Sequence, residues 1–504
     1  MFDFFKILSF LKKNLKTKDW FIVPGLILLF LLTRAINLDK FPIFTDEGIY
    51  IHWAKVAWHD ASWRFISLTD GRQPLQTWAT IPFLKLFPNN PLLAGRIFSM
   101  AFGFLGMSGI FGLLYYLWGK QAAFLGTFFY ILTPYFLFYD RMALVDGAVN
   151  AGFIWIFFLI ILLAQNINFG IALTLGLVAG ISLLTKSSVK VFLGMGVFAP
   201  ILFFERKKKY FIKRSVNYYI LFIVAAIMAF VIYNVQRLSP FFHFVSEKNY
   251  TFLLRPSEFL KNPLQLIPHN LLIVPQYVFW EAAFVIPVLG IFGLILLLKK
   301  DLRMGLYFLL WFALPFAAIV GFGRVIFPRY LNFFASLFLV LAVYLIIKIK
   351  KRNIVIGVIA LYLLSVAYFD YTIIFAQNNI PFPPIDRGQY IEGTSAGHGV
   401  GEIINYARQK SQEKPVILVA EGNFGVVGDM LEALLIPSDK ITVRGYWPLD
   451  KPQLIENQNL LKNNYVFVVY SHRSVFSEDL PIRLIKKYAK PGGESAFYLF
   501  ELTK

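Results

Sequence analysis

The chain has 504 residues, of which 58% are hydrophobic, 18% aromatic and only 15% charged, with a formal net charge of +20. Soluble domains carry roughly 45–50% apolar and about 25% charged residues, so an ordinary water-soluble fold is excluded. The lysines and arginines cluster between long apolar runs, where they anchor spans against anionic headgroups, so the charge does not point to nucleic acid. No Cys is present, which removes disulfides and Cys-based metal or redox chemistry.

Lys6, Lys12, Lys13, Lys16 and Lys18 precede an apolar run from Trp20 to Ile36. No small-residue cleavage site follows, so this run reads as an uncleaved signal anchor with a cytoplasmic N-terminus. Inside lipid every backbone amide must pair within its own segment, so long apolar runs have to be helices. Spans are expected near 20–36, 91–118, 121–138, 148–165, 168–184, 189–204, 216–235, 271–298, 304–321, 329–347 and 353–375, about eleven in all. With that parity Lys120, Glu205–Arg214, Lys299–Arg303 and Lys348–Arg352 all fall on the cytoplasmic side. One helix more or fewer would put a strongly basic connection outside. An odd count also sends the C-terminal segment out.

Three pieces then share the outer face: 37–90, 236–270, and everything after about Gln377. Residues 48–58 carry Ile49, Trp53 and Val56 at helical spacing, and 74–87 is again mostly apolar; both read as helices lying in the interface plane. The C-terminal segment alternates expected strands at 415–422, 441–447, 465–471 and 495–502 with helical stretches near 400–411, 426–435, 452–461 and 481–489. Glu421–Asp429 matches no phosphate-loop or dinucleotide spacing and reads as a strand-to-helix turn. The expected architecture is a polytopic α-helical membrane domain (1–376) followed by a small extracytoplasmic α/β domain (377–504).

Ionisable groups near a bilayer are costly and mark function by default. Thr45–Gly48 places Asp46 and Glu47 just after the first span, where they either cap a helix or carry chemistry. The same face receives Arg72, then Arg141 and Asp146 after the third span, Lys186 after the fifth, and Arg324 and Arg329 before the tenth. Together they would hold a lipid-borne phosphate beside a base, Asp46. Glu281, inside the eighth span, is the main candidate for a buried intramembrane charge, or else marks the outer end of a long tilted helix.

This pattern resembles the GT-C superfamily of membrane glycosyltransferases, in the branch that holds the protein O-mannosyltransferases and the lipid A aminoarabinose transferases. The family's acidic pair matches Asp46 and Glu47 in Thr45–Tyr50, with Tyr50 also matched. Its Lys-Pro-Pro-Leu element is matched in part by Arg72-Gln73-Pro74-Leu75, and its AGR element by Ala94-Gly95-Arg96. Arg141, Asp146, Lys186 and Arg329-Tyr330 fall at the family's later positions. The resemblance covers roughly the first 350 residues, and the C-terminal domain has no obvious counterpart in either named subfamily.

The resemblance implies transfer of a sugar, with inversion, from a polyprenyl-phosphate donor to a hydroxyl acceptor on protein, lipid or glycan, within the plasma membrane. Asp46 is then the general base. Arg72, Lys186 and Arg329 would hold the leaving phosphate, with Arg141 and Arg324 behind them. Asp146 would orient Arg141 or the sugar, and Glu47 would bind a metal or the acceptor or simply cap its helix. The six His residues are scattered, so no cofactor is required by pattern; a divalent metal would need His243 or His269 to approach Glu47 or Asp70. The alternatives are a transporter or flippase for a lipid-linked sugar, an oligosaccharide polymerase or ligase, and a surface receptor.

Overall fold

The computed structural model describes residues 19–205, 208–422, 424–425 and 427–504. The lysines of the N-terminal stretch, and Arg206 and Lys207 of the basic connection, lie outside the described residues. Helix α1 (Asp19–Ala35) is followed by two helices of the first long connection, α2 (Thr45–His59) and α3 (Leu75–Leu86). Next come α4 (Pro91–Trp118), α5 (Lys120–Leu132), α6 (Pro134–Tyr139), α7 (Asp146–Gln165), α8 (Phe169–Leu183), α9 (Val189–Gly194, continuing as a 3-10 stretch to Phe203) and α10 (Lys208–Tyr233). The second long connection holds α11 (Phe244–Phe252) and α12 (Pro256–Lys261). Then follow α13 (Ile267–Glu281), α14 (Val285–Lys300), α15 (Leu302–Phe322), α16 (Asn332–Lys348) and α17 (Arg352–Phe375). Helices α4, α7, α10, α15 and α17 are each long and apolar enough to cross a bilayer. The chain is a multi-pass membrane protein.

Local chemistry sets the helix ends. Asn90 caps α4 by accepting from the Leu93 amide at 3.1 Å, with Pro91 in the first turn where its missing N–H costs nothing. Asp301 caps α15 in the same way through Met304. Two expected spans are interrupted. Pro134 divides the third into α5 and α6, because proline cannot donate to the carbonyl four residues back. That orphaned carbonyl, on Tyr130, lies 3.5 Å from Nη2 of Arg34, whose Nη1 donates to the Ile131 carbonyl. Arg34 is fully buried and paired with Asp140 at 3.1 Å.

The eighth expected span, 271–298, is not one straight helix. Helices α13 and α14 meet at a bend of 110°. Pro287 stands in the first turn of α14 and cannot continue a helix from upstream, and Ala283 and Phe284 absorb the turn with φ of 54° and 57°. Glu281 lies at this break rather than along a tilted span. Helix α14 then packs closely on α16: a Cβ at Gly293 would stand 2.0 Å from the Leu341 carbonyl oxygen.

After α17 the chain forms α18 (Val400–Ser411), β1 (Val416–Glu421), α19 (Val427–Leu434), β2 (Ile441–Tyr446), α20 (Lys451–Gln458), β3 (Tyr465–Tyr470), β4 (Ile482–Ala489) and β5 (Ala496–Leu502). The sheet order is β2-β1-β3-β5-β4, with β1 parallel to β2 and β3, and β5 antiparallel to β3 and β4. Central β1 is buried along its whole length, as a parallel strand covered on both faces must be. The stretch 481–489, expected as a helix, is the edge strand β4. A register irregularity between Leu484 and Lys486 leaves Ile482, Ile485 and Tyr488 half-buried at three-residue spacing, which imitates a helix face.

One face of this sheet shares a core with the connection that holds α2 and α3. Ile51, Ala54 and Ala57 of α2 and Ile81 and Leu84 of α3 pack with Ile403, Leu418, Met430 and Phe467. Helix α19 crosses α2 so closely that a Cβ at Gly48 would meet the Met430 backbone at 3.0 Å. His52 reaches Asp429 at 2.6 Å, and Lys55 donates to the Glu432, Ala433 and Leu435 carbonyls at the end of α19. Thr45 donates to the Ser395 carbonyl at 3.0 Å. Helix α2 is therefore held from outside by the C-terminal part of the chain.

Candidate active site

Asp46 is the second residue of α2, where the helix N-terminus favours a carboxylate. Its Oδ1 accepts from Nη2 of Arg72 at 3.0 Å and its Oδ2 pairs with Nη2 of Arg329 at 2.9 Å. Arg72 also donates through Nε to Asp70 at 2.9 Å, and Asp70 pairs with Lys248 of α11 at 2.8 Å. Five charges thus form one chain, from Arg329 through Asp46, Arg72 and Asp70 to Lys248. Tyr50 and Trp53 lie on the Asp46 face of α2 at helical spacing, and the Arg72 guanidinium stands 5.3 Å and 6.0 Å from their rings.

Beside this chain, Lys186 pairs with Asp146 at 3.1 Å and stands 3.6 Å over the Tyr330 ring. The loops that carry Arg72 and Lys186 are tied together: the Leu75 amide donates to the Leu184 carbonyl at 3.0 Å, and Gln73 donates to Ser187 at 2.6 Å. Asn332, at the start of α16, donates to the Asp146 carbonyl at 2.9 Å. The 3-10 turn Pro328–Tyr330 precedes α16, so the expected span start at 329 gives way to a turn that carries Arg329.

Burial by itself would raise the Asp46 carboxyl, but Arg72 and Arg329 more than offset it and hold the group well below the ordinary carboxylate value. Burial pushes the Tyr50 phenol up to about 12 against the pull of Arg72, so it stays protonated at neutral pH. An Asp46 held by two guanidinium groups is a weak base until they are drawn off it.

Other residues expected in the site are engaged elsewhere. Glu47 and Arg96 form a fully buried two-point pair at 2.8 Å and 2.7 Å, and the Phe44 and Ala143 amides also donate to Glu47, at 3.0 Å and 2.6 Å. Arg96 donates in turn to the Leu38, Phe41 and Pro42 carbonyls, so the pair fixes the turn that leads into α2. Arg141 does not meet Asp146. It donates to the Thr33, Arg34 and Asn37 carbonyls and so closes the end of α1, while Asp146 takes Lys186. Arg324 pairs with half-exposed Glu258 at 2.6 Å. Asp70 is reached from the second long connection by Lys248, not by His243, whose Nδ1 faces the Pro240 carbonyl; His269 is exposed. Among the described residues no group of three or more His, Asp and Glu is placed to hold a metal ion. Sequence reasoning did not single out Lys248: it lies in a polar outer helix with no pattern of its own.

Residues 72–233 match the family model of dolichyl-phosphate-mannose-protein mannosyltransferases. No curated protein matches this chain by sequence. Among solved structures, ArnT from Cupriavidus metallidurans in the apo state is similar, with TM-score 0.62 and 15% identity over 96% of this chain and 98% of that one. ArnT bound to undecaprenyl phosphate is similar over the same shares, at 13% identity and TM-score 0.60. The archaeal oligosaccharyltransferase AglB from Archaeoglobus fulgidus, in complex with an inhibitory peptide and a dolichol-phosphate, is 11% identical, with TM-score 0.52 over 90% of this chain and 70% of that one. A likeness over 96% of the chain runs well past residue 350, so the C-terminal part has a structural counterpart that its sequence did not reveal.

Proposed function

We infer that this multi-pass membrane protein, which has the GT-C glycosyltransferase fold, moves a sugar from a polyprenyl-phosphate donor to a hydroxyl acceptor, with inversion. The observation that carries the reading is Asp46 held between Arg72 and Arg329, with the Lys186–Asp146 pair beside them. The bound lipid phosphates of ArnT and AglB support a polyprenyl-phosphate donor for a chain of this fold. The basic connections support a cytoplasmic N-terminus and an extracytoplasmic site, with the boundary between the membrane and outer domains near residue 376.

Asp46 takes up guanidinium donors that a phosphate would also engage. A lipid phosphate entering beside it competes for Arg72, Arg329 and Lys186, and each guanidinium it takes removes a charge that holds Asp46 ionised and passive. The freed carboxylate then accepts the proton of the acceptor hydroxyl as that oxygen bonds to the anomeric carbon. The bond from that carbon to the phosphate oxygen breaks, and the negative charge gathering on the lipid phosphate meets fixed cations in a partly buried site. Glu47 takes no part in this chemistry, because both its oxygens are spent on Arg96 and two backbone amides, and Arg141 is drawn away to the end of α1.

The α13–α14 break, with Glu281 at it, is a feature transporters also use, which keeps a flippase as the second reading. One experiment separates them. In proteoliposomes with a radiolabelled polyprenyl-phosphate sugar, the wild type is expected to release lipid phosphate with acceptor present, and Asp46→Asn is not. Full turnover by Asp46→Asn would remove the base assignment, and movement of intact lipid between leaflets without acceptor would favour the flippase.

A further inference from the structure

Helix α7 starts at Asp146, which pairs with Lys186 in the candidate site, and its 20 residues end at Gln165. At 1.5 Å per residue that is about 30 Å, the thickness of a bilayer's hydrocarbon core, so Gln165 stands at the opposite membrane face. There a cavity of about 430 Å³ lies between the end of α7, the stretch that follows α9 and the first turns of α10. It shares no residue with the candidate site.

Two cations of α10, Lys213 and Arg214, line this cavity. Arg214 donates through Nη2 to the Ala164 and Gln165 carbonyls, both at 3.0 Å, and so closes the end of α7. The same guanidinium stands 4.7 Å from the Phe203 ring, which fixes its plane. Its Nε and Nη1, and the Lys213 ammonium, have no hydrogen-bond or ion-pair partner among the described residues. Asn217 lines the cavity one turn further on, about 14 Å along α10 from Lys208. Its amide is exposed and has no partner among the described residues either. A bare amide that far into a membrane-spanning helix is a cost that the fold alone does not offset.

The rest of the lining is of a different kind. Phe203 and Phe211, with ring centroids 6.0 Å apart, and Ile167 make an apolar wall. Beside the cavity Ile212, Val216 and Ile220 form an exposed apolar stripe down α10 at four-residue spacing. A free phosphate ion gains nothing from these surfaces, whereas a lipid places its headgroup on the cations and its chains on the stripe. Residues 205–214 carry six cations against one acid, Glu205, so the charge favours an anionic headgroup. Glu205 itself lies on the rim, where its carboxylate suits the hydroxyls of a glycerol headgroup.

We propose that this cavity binds one anionic glycerophospholipid, with its phosphate on Lys213 and Arg214 and its ester region on Asn217. The site lies across the membrane from Asp46 and stands or falls independently of the transferase reading.

The chain has no Cys, so Ile212→Cys gives a single place, beside the cavity, for a bimane label. The labelled full chain in nanodiscs is quenched with phosphatidylglycerol, phosphatidylethanolamine or phosphatidylcholine, each spin-labelled near the top of one acyl chain. Phosphatidylglycerol is expected to reach half-quenching at about a tenfold smaller share of the lipid than either zwitterionic lipid, as two cations near the surface supply. Lys213→Gln and Asn217→Leu change side chains that hold nothing in the protein. Each should lose most of this preference with the thermal midpoint unchanged, while Lys209→Gln, a neighbouring cation outside the cavity, should keep it. Soluble glycerol phosphate should not relieve the quenching. The proposal is overturned if the zwitterionic lipids quench as well, if the preference survives both substitutions, or if Lys209→Gln lowers it as much as Lys213→Gln, which would mean a diffuse basic belt. Relief by glycerol phosphate would equally overturn it, in favour of a site for soluble phosphate.

Discussion

Asp46→Asn should abolish turnover and yet tighten binding of bare polyprenyl phosphate. The carboxylate engages Arg72 at 3.0 Å and Arg329 at 2.9 Å, with its side chain only 17% exposed. A charge-assisted hydrogen bond contributes about 1.5–3 kcal/mol net, so an entering phosphate has to displace contacts of that order before it gains its own. Asparagine keeps the shape but loses the charge. With about 2 kcal/mol of that competition removed, bare phosphate should bind roughly 30-fold more tightly. The assay is equilibrium titration of bare polyprenyl phosphate into wild type and variant in nanodiscs at fixed ionic strength. Equal or weaker binding by Asp46→Asn would refute the idea that Asp46 holds the phosphate's place.

Two further outcomes follow from the same geometry. Glu47→Gln leaves the fully buried Arg96 without its counter-charge, so it should cost about 3–5 kcal/mol of stability and lower the thermal midpoint, with turnover per folded molecule much less affected. Replacing both partners by apolar residues should restore much of that loss, whereas lost turnover at unchanged stability would return Glu47 to the chemistry. The second concerns pH. Because its arginines hold the Asp46 carboxyl well below the ordinary value, it keeps its charge in the folded protein as pH falls through the usual carboxylate range, while the stability that the ion pairs contribute is lost progressively from that range downward as the unfolded chain takes up the proton. Once phosphate draws the arginines away, burial acts upward on the carboxyl. The acid limb of kcat should therefore lie at higher pH than that of kcat/KM, and coincident limbs would contradict the release of the base.

Most of the helical architecture was readable because lipid leaves a chain few choices. Long apolar runs must become helices, and the runs beginning near Pro91, Asp146, Leu302 and Arg352 did so close to the expected bounds. Where reading failed, a local signal had been outweighed. Pro134 and Pro287 lie inside apolar runs whose hydropathy masks them, although each breaks the helix behind it. The irregularity in β4 turned a two-residue alternation into one that passes for a helix.

For the candidate site, sequence could name residue types and their place at the ends of spans. Asp46, Arg72, Lys186 and Arg329 were chosen because charges at span ends are costly, and the fold brings Asp46, Arg72 and Arg329 into direct contact. It could not assign partners, because partners are set by packing between segments far apart in the chain. Glu47 and Asp46 are neighbours in sequence, yet α2 turns one toward the Arg96 brace and the other toward two arginines. Arg141 and Asp146 looked like a pair and are not one. Long apolar runs, a property of the linear chain, determined that the chain crosses a bilayer several times; the three-dimensional path decided which charges answer one another, because Coulomb and hydrogen-bond energies depend on distance in space and not along the chain.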